Sequence, residues 1–209
     1  MARIAVGDGI RRIVATPHVK DRCLSPEDIR RQTARFNEEL RKADLPLEIL
    51  PGAELGWDVA VEGLAGYTLN GSVYALIEFP PTHIPADARQ VLFKALLAGF
   101  TPVIAHPERH PSIIKNPSVL LELVKAGTLV QMTGESLGGS LGPDAQFCAR
   151  FLLKKQAVHF LASDGHGSLW RKPILSRALG EAAVLIGRTA ALKLVTANPN
   201  AVLKGSPLG

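Results

Sequence analysis

Residues 101–110 read TPVIAHPERH. An apolar run of strand type ends abruptly in His106, Glu108, Arg109 and His110, with Pro107 barring continuation of the strand. Residues 161–170, LASDGHGSLW, repeat the arrangement, with Asp164 and His166 after another apolar run. Working outward, RRIVATP (11–17), LEIL (47–50), SVYALIEF (72–79), TLVQMT (128–133) and AVHFLAS (157–163) also read as strands. Helical patterns lie between them, over about residues 86–98, 117–126 and 143–155, with further helix to about 196. The stretch 25–43 is the best marked of these. Ser25 is its expected N-cap, Pro26 its first position and Asp28 the partner in a capping box, with Ile29, Phe36 and Leu40 on one face. Strands alternating with helices at the spacing of βα units predict an α/β fold with a mostly parallel sheet.

The strand ends choose between an open sheet and a barrel. His18 follows IVATP, Glu54 follows LEILPGA, Glu78 ends YALI, His106 ends PVIA, and Asp164 with His166 follow HFLAS. An open sheet gathers its site at one switch point, whereas a barrel collects residues from many strand ends onto one face. The pattern predicts a barrel, built as one domain over 1–209.

Composition narrows the function classes. The chain is 46% hydrophobic and 21% charged, as an ordinary globular protein is. No apolar run reaches the roughly 18 residues a membrane span requires, and the beginning lacks the pattern of a secretory signal. Cys23 and Cys148 form neither a disulfide framework nor a CxxC site, so a reduced, cytoplasmic protein is expected. The net charge is +5, with part of the excess between Arg11 and Lys42. Aromatic residues are only 5% of the chain and no recognition module accompanies the basic residues, so they read as a solvated face and not as a nucleic-acid surface.

His18, Glu54, Glu78, His106, Asp164 and His166 make a mixed imidazole–carboxylate set. It suits Mn, Fe or Zn better than Ca or Mg, which prefer all-oxygen shells. Such ions lower the pKa of water towards about 7, which removes the need for a protein nucleophile. No G-x-S-x-G or cysteine-nucleophile signature is present. A single His at a strand end is usually structural, and His83, His110 and His159 read that way. Glu78 is harder to dismiss, because ALIEFP would bury an acid without a cationic partner. Arg109 and Arg171 follow the two clusters; each suits a phosphoryl group, and Arg109 could equally pair with Glu108. TGESLGGSLG (133–142) lacks the GK[ST] of a P-loop and reads as a long turn.

Taken together, MARIAVGDGIRRIVATPH, PGAELGWD, ALIEFPPTHIP, VIAHPERH, QMTGESLGGSLG and LASDGHG resemble the bacterial PHP-type (polymerase and histidinol phosphatase) protein tyrosine phosphatases of capsular and exopolysaccharide operons. The resemblance runs from residue 1 to about 200. It implies a distorted (β/α)7 barrel with a three-metal, usually manganese centre, acting on the phosphorylated tail of a bacterial tyrosine kinase. It also implies that Glu54 bridges two ions, that Glu78 and His106 complete the second, that Asp164 serves the first, and that His18 and His166 hold the third. Arg109 and Arg171 would then face the phosphate. The family pattern opens with an H-x-H pair on a first strand, and this sequence has none. Met1, Ile4 and Ala5 show helical spacing without an N-cap. The expectation is that Met1 is an internal methionine and the first strand is missing; the rival is a relic that serves as a kinase-binding scaffold. Two other readings stand beside these. A phosphatase for a small ester such as histidinol phosphate would share the ligands, and an amidohydrolase would require His and a lysine at the middle strand ends, where Glu54 and Glu78 stand and no matching lysine is read.

Overall fold

The computed structural model describes residues 1–20 and 24–209; the readings of Arg22 and Cys23 lie outside the described residues. Its strands are β1 (Arg12–Ala15), β2 (His18–Val19), β3 (Glu48–Pro51), β4 (Glu54–Gly56), β5 (Tyr74–Glu78), β6 (Thr101–Ala105), β7 (Leu129–Thr133) and β8 (Phe160–Ala162). All pairings are parallel. β1 pairs with β3, and a six-stranded sheet runs β2-β4-β5-β6-β7-β8. The two sheets are one surface. Ala15 pairs with Pro51 and His18 with Glu54 in the same register, and the Glu54 N–H donates to the Pro17 carbonyl across the break at 3.1 Å. Pro17 has no N–H to offer the ladder, which explains the interruption. Opposite it, Gly52 lets the strands approach, since a Cβ there would come 2.7 Å from Val14 Cγ1.

Alternation along each strand divides the core. Tyr74, Leu76, Val103, Ala105 and Phe160 pack together on one face of the sheet. Ala75, Ile77 and Ile104 face the other way, with Val19 and Leu55, towards Ile29, Leu92 and Leu123 of the covering helices α2 (Pro26–Lys42), α4 (Ala88–Leu97) and α6 (Ser118–Lys125). Val130, Met132 and Leu161 continue that outer face against α8 (Pro143–Lys154), α9 (Ser176–Ile186) and α10 (Arg188–Lys193). Buried on both faces, these strands read as near-continuous apolar runs. The remaining helices are α1 (Ala2–Gly7), α3 (Trp57–Glu62), α5 (Pro111–Lys115), α7 (Gly134–Leu137) and α11 (Ala197–Lys204). Among the described residues no helix is long and apolar enough to cross a membrane.

The α2 cap forms as its sequence predicts. The Asp28 N–H donates to Ser25 Oγ at 3.1 Å, and that hydroxyl donates to the Asp28 carboxylate at 2.6 Å. Phe36 departs from expectation: it is 62% exposed, while Thr33 is buried on this helix. The reason lies in the sheet. Among the described residues nothing pairs β8 to β1 or β2, so no closed barrel is found, and the α/β parallel sheet has two free edges. Both free edges line one cavity of about 1300 Å³, which Phe36 borders. Asp8, at the end of α1, fixes another side of it. Its carboxylate accepts the Leu175 and Ser176 N–H groups, at 2.6 and 3.0 Å, and the Ser176 hydroxyl, and so caps α9.

Candidate metal centre

Register builds the site. In a parallel sheet, paired residues share a face, so the His18–Glu54 pairing sets an imidazole beside a carboxylate at the edge of the inner face. Glu54 pairs with Leu76, which places Glu78, two residues on, on that same face at the carboxyl end of β5. His106 follows β6, where simple alternation would send its side chain outward with Ile104. Its backbone is left-handed instead (φ +33°). That conformation is unfavourable for a residue with a Cβ and re-aims the imidazole inward. The His106 N–H donates to the Gln131 carbonyl at 2.7 Å and holds the turn on β7.

Four side chains consequently converge. His106 Nε2 lies 3.1 Å from Glu54 Oε1 and 3.7 Å from Glu78 Oε1. His18 Nδ1 lies 3.5 Å from Glu54 Oε1 and 3.7 Å from Glu78 Oε2. Ligand atoms of His18, Glu54 and Glu78 all fall within 4.8 Å of one another. Glu54 and His106 are buried and His18 is exposed, so the cluster opens to solvent on one side. Burial alone would lower the His106 pKa, but the hydrogen bond and negative charge of Glu54 outweigh it and raise the value. Imidazoles and carboxylates in this arrangement are the donor set of a Mn, Fe or Zn ion, so the residues fit a divalent metal.

Asp164 and His166 stand in a second group. Asp164, also left-handed (φ +47°), accepts from Arg109 Nη1 at 2.9 Å, from the Arg171 guanidinium, and from Thr133 Oγ1 at 3.4 Å. His166 Nδ1 lies 2.8 Å from the Asp164 carbonyl oxygen, and its ring centroid is 6.2 Å from that of His18. The carboxylate expected to bind metal is thus held by both arginines expected to face phosphate. Arg109 does not pair with Glu108. Glu108 is fully buried, and its Oε1 accepts the Thr133 N–H at 3.2 Å and the Ser136 hydroxyl at 2.7 Å. Burial raises its pKa.

The other histidines are engaged structurally. His110 Nε2 donates to the Pro80 carbonyl at 2.8 Å while Nδ1 accepts the Ser112 N–H, capping α5. His159 Nδ1 accepts the Val130 N–H, and burial lowers its pKa. His83 is exposed beside Thr82. Sequence reasoning missed Lys20, whose Nζ lies 3.4 Å from Glu78 Oε2. Lys20 directly follows β2, two residues after His18, and that spacing was a usable signal. Thr133 was missed as well, although it ends β7 as Glu78 ends β5.

Residues 1–204 match the family described as capsular polysaccharide synthesis, CpsB/CapC. The tyrosine-protein phosphatase YwqE of Bacillus subtilis (strain 168) is 41% identical over 174 residues, covering 79% of this chain and 68% of that protein. The putative tyrosine-protein phosphatase CapC of Staphylococcus aureus is 34% identical over 184 residues, 84% of this chain and 71% of its own. CpsB of Streptococcus pneumoniae is 31% identical over 206 residues, 93% and 85% of the two chains. A solved structure from work on YwqE from Bacillus subtilis and CpsB from Streptococcus pneumoniae, described as metal-dependent tyrosine phosphatases, superimposes with a TM-score of 0.91 at 35% identity. It covers 100% of this chain and 87% of the other. A parallel sheet whose strand ends bring His18, Glu54, Glu78 and His106 together, matched along nearly its whole length, places this chain in the CpsB/CapC family of capsular polysaccharide synthesis.

Proposed function

We propose that the chain is a metal-dependent phosphatase that hydrolyses phosphotyrosine, with the phosphorylated tail of a bacterial tyrosine kinase of capsule synthesis as substrate. One observation carries the reading: two imidazoles and two carboxylates from separate strands meet in a cluster open to solvent at His18, whose ring lies 6.2 Å from His166 in the group where Asp164 holds two arginines. The named relatives are tyrosine phosphatases and the solved neighbour is metal-dependent, which supports it.

His18, Glu54, Glu78 and His106 would hold a divalent ion, manganese in this reading, and Asp164 with His166 would serve a further one. The metal supplies Lewis acidity towards the phosphoryl oxygens and a nucleophile at neutral pH. Arg109 and Arg171 bind and orient the phosphoryl group, exchanging the Asp164 carboxylate for its oxygens; a planar guanidinium fork suits two oxygens at once. Lys20, 3.4 Å from Glu78 Oε2, would give up that contact where Glu78 held an ion. The tyrosine leaving group has a pKa of about 10, so it departs with less help from a general acid than an alkyl alcohol needs. The two free sheet edges on one cavity support a relation to a distorted (β/α)7 barrel.

The test is hydrolysis of a phosphotyrosine peptide and of p-nitrophenyl phosphate, with and without chelator. Chelation should abolish turnover and manganese should restore it, with histidinol phosphate turned over poorly. Turnover that survives chelation, or a preference for histidinol phosphate, would overturn the reading.

A further inference from the structure

The loop between Asp164 and α9 holds two large apolar side chains in solvent beside the arginine pair. Leu169 is 91% exposed and Trp170 69% exposed. Such side chains concentrate where another molecule covers them, and tryptophan is among the residues that contribute most to binding. Their presentation is built into the loop. The His166 N–H donates to the Arg171 carbonyl at 2.9 Å and closes the loop at its base. The Arg171 guanidinium then ties that base to Asp164, through the carbonyl oxygen at 3.1 Å and the carboxylate. A Cβ on Gly167 would come 3.2 Å from the Trp170 carbonyl oxygen, so the returning chain passes close against the glycine.

Behind Trp170 lies a cavity of about 330 Å³, bordered by Gly134, Trp170, Arg171, Ile174 and Ala178. Its α9 wall also carries Arg177 and Glu181, which pair with each other at 3.3 Å, and Glu135 and Lys172 complete its charged border. Arg171 belongs to both places: it borders this cavity and holds Asp164 at the candidate centre.

We propose that this loop and cavity form the docking surface for the polypeptide that bears the phosphotyrosine, seating an apolar side chain next to it in sequence against Trp170 and Leu169. The proposal rests on the phosphotyrosine reading above. Continuity through Arg171 carries it. A phosphotyrosine gripped by the arginines brings its chain neighbours, about 3.3 Å apart per residue when extended, over the adjoining loop. The exposed apolar surface of Leu169 and Trp170 selects an apolar neighbour over a charged one.

Two labelled peptides that carry the non-hydrolysable mimic phosphonomethyl-phenylalanine decide the matter, one with leucine flanks and one with glycine flanks. Fluorescence anisotropy on the manganese-supplemented protein gives the ratio of their affinities. The leucine peptide should bind about tenfold more tightly. Trp170→Ala should bring that ratio to within about twofold of unity, and Trp170→Phe should keep most of it. Leu97→Ser, on the 73% exposed Leu97 of α4, should keep all of it. Equal affinities on the unaltered protein would overturn the proposal, as would a ratio that persists in Trp170→Ala or falls equally in Leu97→Ser. Hydrolysis of the matching phosphotyrosine peptides is read separately. If neither is cleaved, the catalytic reading fails while the affinity ratio still decides docking.

Discussion

Glu108→Ala should destabilise the chain by about 3 kcal/mol, and the structure shows why. The carboxyl has no exposure to solvent, and its Oε1 accepts both the Thr133 N–H and the Ser136 hydroxyl. Removing it strands two buried donors at roughly 1–3 kcal/mol each, and losing the side-chain methylenes adds about 1–2 kcal/mol. Relief comes from Oε2, which is buried without a hydrogen-bond partner, and returns about 1–2 kcal/mol. For a chain of this size each kcal/mol shifts Tm by about 2–4 °C, so thermal unfolding should show a fall of roughly 6–12 °C. Glu108→Gln keeps the Oε1 acceptor and the shape, and should cost less than about 1.5 kcal/mol. The alanine variant should also weaken manganese binding about tenfold by calorimetry, because the turn that carries His106 and Arg109 loses its anchor. A loss under about 1 kcal/mol for alanine, or an equal loss for glutamine, would refute the reasoning.

Glu54→Gln removes the carboxylate that both imidazoles approach. At an effective dielectric of about 20 the lost attraction is on the order of 2–4 kcal/mol, so manganese affinity should fall roughly 30- to 1000-fold in a calorimetric titration. Gly52→Ala should cost about 1–3 kcal/mol in urea unfolding, since the new Cβ meets Val14 Cγ1 at 2.7 Å; an unchanged midpoint would contradict the close approach. Asp8 gives a pH signature. Burial would raise its pKa, but hydrogen bonds from Ser176 and Leu175 outweigh that and lower it. A depressed folded pKa contributes stability above the unfolded carboxylate value and loses it as pH falls through the folded one. Asp8→Asn should accordingly melt at a lower temperature than the unaltered protein at pH 7, with the gap closing in acid.

Much of this was legible in the sequence because parallel strands bury both faces. TPVIAH and ALIE stand out as apolar runs, and whatever polar residue ends them is conspicuous. His18, Glu54, Glu78 and His106 were all found that way, and the structure brings them together. The partner of Arg109 was not legible. Glu108 is its neighbour in the chain, yet the turn after β6 sends Glu108 into the core and Arg109 across to Asp164, a choice made by tertiary packing. Lys20 escaped because it lies beyond the run that marked its strand. Phe36 fits a buried helical face by spacing alone, but spacing cannot say whether a strand lies opposite. α11 was missed because ANPNAVLK is polar at its start and contains Pro199, which is tolerated in a first turn.

With β1 and β2 taken as one interrupted strand and β3 and β4 as the next, the order across the sheet is the order along the chain, and each unit pairs with the one before it. Each βα unit can therefore dock on one already in place as the polypeptide leaves the ribosome, and no strand must wait for a distant one. By the time residue 106 has emerged, both imidazoles and both carboxylates of the candidate centre are available, while Asp164, which holds the arginines, arrives more than fifty residues later. A nascent chain of this design acquires the capacity to capture a cation well before it can restrain Arg109. Stalling synthesis between those two points would separate metal capture from arginine placement in time.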